Sequence, residues 1–161
     1  MDETRARTLD TIAVAALVAL WAETLVSLPG LPQMIATSFA NDGTARVYSS
    51  KELLFLLPAI GTITYAITGL TLRLPQPQLN LPFSIPQERL PLVEPVSKFF
   101  QRLIRTELLI GFTALQWAVI ESARMDHLVP GLVVTVFAII GAIVATVSTM
   151  MYRVWGIARG R

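Results

Sequence analysis

Glu23, Glu52, Glu121 and Lys51 are the residues of this chain whose types and positions could do chemistry. All sit at the margins of apolar stretches, and Arg124, Asp126 and His127 belong to the same level of the molecule once those stretches are read as membrane helices. Such a set can form an ion-pair and hydrogen-bond cluster that pins a loop, or it can hold a proton, a cation or a polar ligand. A charge costs roughly 2.5–3.5 kcal/mol at the bilayer centre and less near an interface, so these groups are tolerable when paired or wetted. His127 is the only histidine and there is no cysteine, so the chain supports neither a zinc site nor a catalytic triad. A phosphate-binding glycine loop and a hydrolase elbow are also missing. The expectation is a non-enzymatic protein without metal or cofactor.

The elements that must position these residues are apolar helices. In 161 residues, 53% are hydrophobic and only 15% charged, too apolar for an ordinary soluble domain. Four segments approach the roughly 20 apolar residues that cross a bilayer core: Thr11–Leu28, Glu52–Leu72, Glu107–Met125 and Val129–Tyr152. The expected fold is an all-α integral membrane protein, a single four-helix domain over 1–161, with an outer loop at 29–51 and a strap at 73–106. No small-x-small cleavage site follows the first apolar run, which is read as an uncleaved helix. Ten of the lysines and arginines flank the termini and the 73–106 segment, and three, Arg46, Lys51 and Arg124, lie on the other side. That bias places both termini and the strap in the cytoplasm and the 29–51 loop outside. With weak net charge (+2) and dispersed cations, nucleic acid is not an expected partner.

Small residues mark the faces where helices approach in lipid. On helix one, Ala15 and Ala19 align with Glu23; on helix three, Gly111, Ala114 and Ala118 share a side with Glu121, and Gln116 lies deeper. Helix four has Gly141, Ala145 and Thr149, and helix two has Gly61, Gly69 and Pro58, the last expected to kink it. Tight packing is the simplest meaning, and both Glu23 and Glu121 are expected to point into the bundle or its mouth. Trp21, Trp117 and Trp155 fit packing or interface roles.

Pro75, Pro77, Pro82, Pro86, Pro91 and Pro95 forbid a helix across the strap and favour extended chain. Leu79, Leu81, Phe83 and Ile85 give that piece one greasy side, suited to lying on the protein or membrane, or to docking a partner. From Pro95, the spacing of Val96, Phe99, Phe100, Leu103 and Ile104, with Lys98, Arg102 and Arg105 between, predicts an interfacial amphipathic helix.

The 29–51 loop carries a pattern: Leu31-Pro32, then Ile35, Phe39, Gly43 and finally Lys51. Pro29 and Pro32 stop helix one, Ile35 and Phe39 can lie on the bundle mouth, and Asn41-Asp42-Gly43 suits a tight turn. The pattern resembles a widespread family of small bacterial membrane proteins, a domain of unknown function in which LP-x-x-I-P-x-H-F is followed by a glycine and, after a spacer, a lysine. Relatives of a toxin-immunity and signalling membrane protein of spore formers carry it. Later, Glu107, Gln116 and Trp117 look like that family's Glu, Gln and aromatic residues. Ala36 and Ser38 replace the family's proline and histidine, so any proton or metal role of that histidine is lost here. The loop is expected to be a lid, locked by Lys51 against Glu23 or Glu121.

Together these features imply an accessory or scaffold subunit in the bacterial cytoplasmic membrane, partnered by lipid and by other membrane subunits or a second copy. An extracytoplasmic peptide-binding immunity or sensor protein is the alternative, and a small transporter ranks third because no internal repeat is visible.

Overall fold

The computed structural model describes residues 3–74 and 84–160. It contains the helices α1 (Glu3–Ser27), α2 (Leu56–Thr71), α3 (Leu90–Met125) and α4 (Pro130–Arg159), and two strands, β1 (Met34–Phe39) and β2 (Ala45–Ser50). Four helical segments are long and apolar enough to cross a membrane, with α2 reaching that length through a tighter helical turn, Lys51–Phe55, in front of it. The chain is a predominantly helical, multi-pass membrane protein. A two-stranded antiparallel hairpin between α1 and α2 qualifies the all-α expectation.

Several boundaries differ from those expected. α1 begins at Glu3, because a run with few helix breakers continues upstream of the apolar stretch. α3 is one helix from Leu90, so 90–106 is helix continuous with the span and only the earlier part of 73–106 can be a strap. Pro91 lies in its first turn, where the missing N–H had no helical acceptor, and Pro95 forfeits one bond within a long ladder. Val93, Ser97 and Phe100 form the buried side of this stretch, and Val96, Phe99, Leu103 and Ile104 are half-buried. Pro75, Pro77, Leu79, Leu81, Pro82 and Phe83 lie outside the described residues.

α3 is the hub, packed on α1 along one side, on α4 along another, and on α2. Ala13, Ala16 and Leu109 are buried where α1 meets α3, and the Thr113 hydroxyl donates across the seam to the Ala16 carbonyl at 3.0 Å. Gly111 marks the α3–α4 seam: a Cβ there would lie 2.6 Å from Ile139 Cγ1. At the end holding the termini, Asp10 pairs with Arg105 and, at 3.4 Å, with Arg102. Arg105 is buried and stacks its guanidinium over Tyr65 at 4.7 Å. Arg89 donates to the Ile157 carbonyl at 2.7 Å, placing a cation on the orphan carbonyls of the α4 C-terminus.

Candidate functional site

The hairpin end is built from local chemistry upward. Asn41-Asp42-Gly43 closes β1 to β2: the Gly43 N–H donates to Ala40 O at 2.9 Å and the Ala40 N–H to Thr44 O at 2.8 Å. Gly43 has φ +85°, and a Cβ on it would fall 2.6 Å from His127 Nε2, so conformation and space both demand glycine. Asp42 accepts from the Thr44 hydroxyl (2.7 Å) and amide (3.0 Å), which holds its carboxyl below the usual carboxylate range. On β2, the Tyr48 hydroxyl donates to Asp126 at 2.7 Å; that bond to a carboxylate raises the phenol above its ordinary value. The Leu128 N–H donates to Gly43 O at 2.9 Å, joining the turn to the α3–α4 connection.

Pairing is interrupted between Ala36 and Ser38, where an irregularity in register leaves Thr37 out. Consecutive Ile35 and Ala36, which pair in regular register just before it, are both buried, which alternation alone does not give. Leu31 and Ile35 join Leu54, Ile120 and Ala123 in one apolar cluster. Pro32 is exposed, and Phe39 is half-buried.

The four charged residues expected to form one cluster are dispersed instead. Lys51 donates to Leu28 O (3.2 Å) and Leu31 O (3.4 Å), carbonyls freed where α1 ends, so its lock is cation to backbone. Glu52 is exposed and accepts from Gln33 at 3.3 Å. Glu121 pairs with Arg124 at 2.5 Å, and Arg124 also reaches Ser27 Oγ at 3.3 Å. Glu23 Oε1 is buried with no hydrogen-bond partner among the described residues. Among the described residues it forms no ion pair with Lys51, whose ammonium is bonded to the carbonyls at the helix end.

The small residues divide. Gly111 and Ala118 are buried in the bundle. Ala15, Ala19 and Ala114 are not packed inside: with Glu23, Thr113 and Trp117 they line an open groove of about 600 Å³ between α1 and α3. The inward face of α1 is instead Ala13, Ala16, Leu20, Thr24 and Ser27, turned there because Thr24 has a polar partner. Gly141 and Ala145 are exposed on the outside of α4, and nothing lies within 4 Å of a Cβ built on Gly141.

Gln116 is the polar centre that this reasoning undervalued. Pro58 falls in the first turn of α2, after the change from the tighter helix. A proline there has no N–H to give the carbonyl four residues earlier, that of Leu54. Gln116 Nε2 fills the gap, donating to Leu54 O at 2.9 Å and to Thr24 Oγ1 at 2.8 Å. One side chain thereby ties α1, the approach to α2, and α3. The signal was in the sequence, as a lone amide in the apolar span 107–125 and a proline early in another. Asp10 with Arg102 and Arg105 was missed as well; two arginines at i, i+3 spacing opposite a single aspartate were the cue. Glu107 accepts from the Thr146 hydroxyl at 2.6 Å, tying α3 to α4.

No family model, curated protein or solved structure matches this chain. Among the described residues no group of His, Asp and Glu is arranged to hold a metal.

Proposed function

We propose that the protein is a non-enzymatic accessory or scaffold subunit of a larger membrane complex. The observation that carries the reading is the groove between α1 and α3. Its floor is alanine, which permits close backbone approach, and the Glu23 carboxylate at one end has an oxygen without a donor. A neighbouring transmembrane helix with a donor side chain at that level would fill both needs. The ten-to-three bias of lysine and arginine supports a bacterial cytoplasmic membrane with the termini inside and the hairpin outside.

The test is native mass spectrometry of the protein extracted from its own membranes in mild detergent, alongside the Ala19→Trp variant, which fills the groove without entering the core. A fixed-stoichiometry assembly that Ala19→Trp dissociates, while leaving the thermal unfolding midpoint unchanged, is the expected result. A lone monomer from wild type would sink the subunit reading. A second reading, an extracytoplasmic peptide sensor or immunity protein, draws on the exposed Met34, Val47 and Tyr48 of the hairpin and on the loop pattern shared with that family. Transport is the weakest reading, since Glu121 is already paired with Arg124.

A further inference from the structure

At the end of the molecule that holds the termini, a pocket of about 280 Å³ opens between α1, α2 and α3. Arg73, Arg102 and Arg105 line it, and Asp10 is the single acid among the described residues that do. The formal balance is two positive charges. The three arginines differ in what they can offer. Arg105 is buried, bonded to Asp10 and stacked over Tyr65, so it supplies charge beneath the pocket rather than a contact inside it. Arg102 keeps 22% of its side chain exposed and approaches Asp10 through Nε at 3.4 Å without forming a hydrogen bond. Arg73, just past the end of α2, is exposed and pairs with no described residue. One carboxylate already bonded to Arg105 cannot neutralise the other two cations.

Gly69 stands on the α2 wall of the same pocket, and nothing lies within 4 Å of a Cβ built on it. Its φ is not positive, so neither packing nor backbone conformation requires a glycine there, although glycine weakens a helix interior. The effect of the missing side chain is to keep the pocket open.

The level of the pocket is set by the three helices around it. α1 turns apolar directly after Asp10, α2 ends its apolar run at Leu72, before Arg73, and Arg105 and Glu107 are the last charges before the apolar run of α3. All three pass from charged to apolar sequence together, which in a bilayer is the headgroup layer. The last α2 carbonyls, which would repel an anion, are covered: those of Thr68, Leu70 and Thr71 accept from the N–H groups of Leu72, Arg73 and Leu74. Guanidinium groups recognise phosphate oxygens through paired N–H donors, and basic pockets between membrane helices suit anionic headgroups.

We propose that this pocket binds the phosphodiester of an anionic phospholipid, with Arg73 and Arg102 donating to its oxygens and the acyl chains left outside in the bilayer. Its volume is close to the lower end of the roughly 300–1,000 Å³ usual for small-molecule sites, which suits a headgroup alone. A zwitterionic lipid carries the same phosphate but brings an ammonium group toward excess positive charge, so the site selects by net charge. The site stands apart from the subunit reading, because the α1–α3 groove shares no lining residue with it.

The full chain would be reconstituted in nanodiscs of phosphatidylglycerol and phosphatidylcholine in equal amounts, released into mild detergent, and its retained lipid identified by native mass spectrometry. Bound phosphatidylglycerol is expected to exceed phosphatidylcholine at least about tenfold. Arg73→Gln, at an exposed position, should cut that preference about fivefold. Gly69→Leu alters no charge and fills the pocket from α2, so it should remove the preference while leaving the thermal unfolding midpoint unchanged. Inorganic phosphate titrated calorimetrically into the protein in phosphatidylcholine nanodiscs should give no binding. Equal retention of the two lipids, or a preference that both variants leave intact, would overturn the proposal. Saturable binding of phosphate would overturn it too, by assigning the pocket to a soluble anion.

Discussion

α3 and α4 are neighbours of similar purpose, yet 39% of the apolar window of α3 is buried in protein against 6% of that of α4. The more buried helix is the more polar. α3 contributes Arg105, Glu107, Thr113, Gln116 and Ser122, each bonded to another element or to the turn after α3, whereas α4 offers Thr146 inward and apolar side chains such as Val134, Phe137 and Val144 outward. In water the apolar helix would be the core. In lipid an apolar side chain gains little by exchanging acyl chains for protein, so burial follows the groups that need hydrogen-bond partners and the small residues that let backbones approach.

The sharpest way to break this comparison is to remove the central polar tie. Gln116→Leu deletes two hydrogen bonds and leaves the Leu54 carbonyl without a donor, so unfolding in a mild detergent titrated with sodium dodecyl sulfate should show a loss of roughly 2–3 kcal/mol. Phe137→Leu on the exposed face of α4 should change the same measurement by less than about 0.5 kcal/mol. Equal losses would mean that polarity does not organise the bundle.

Two glycines sharpen the contrast. Gly111→Ala forces Ile139 to move and should cost about 1–2 kcal/mol by the same titration. Gly141→Ala meets open space, and its better helix propensity should leave stability unchanged or higher by up to about 1 kcal/mol. A smaller, local effect is expected at the hairpin end. Lys51→Ala uncovers the Leu28 and Leu31 carbonyls, costing about 0.5–1 kcal/mol and increasing thiol-reagent access to a cysteine placed at Phe39. Unchanged access would remove Lys51 as the lock.

The smallest effect is a pH dependence of the turn. Asp42 has a folded pKa below its unfolded value, so its stabilisation is complete above the ordinary carboxylate range near 3.9 and is lost as pH falls through the lowered folded value. The Thr44 amide resonance should titrate below that range, and Asp42→Asn should remove the titration. A midpoint at or above the ordinary value would contradict the Thr44 bonds as the cause.

The four spans were legible because about 20 consecutive apolar residues can satisfy their backbone in a bilayer only as helix, whatever they pack against. Turn chemistry was legible for the same local reason: Asn41-Asp42-Gly43 needs nothing distant to favour a turn. The facing of each helix was another matter. Ala15, Ala19, Gly141 and Ala145 have the composition of a packing seam, yet the structure leaves them outward, and Gly111 and Ala118, indistinguishable by type, are buried.

Length and hydropathy, which act on each segment alone, therefore determined the spans, their order and the position of the turn. Which carboxylates find partners, and that Gln116 rather than Lys51 joins three elements, was decided only by tertiary structure. A hydrogen bond requires two atoms within about 3 Å, and whether residues 62 or 92 positions apart meet that condition depends on how every helix is rotated about its axis.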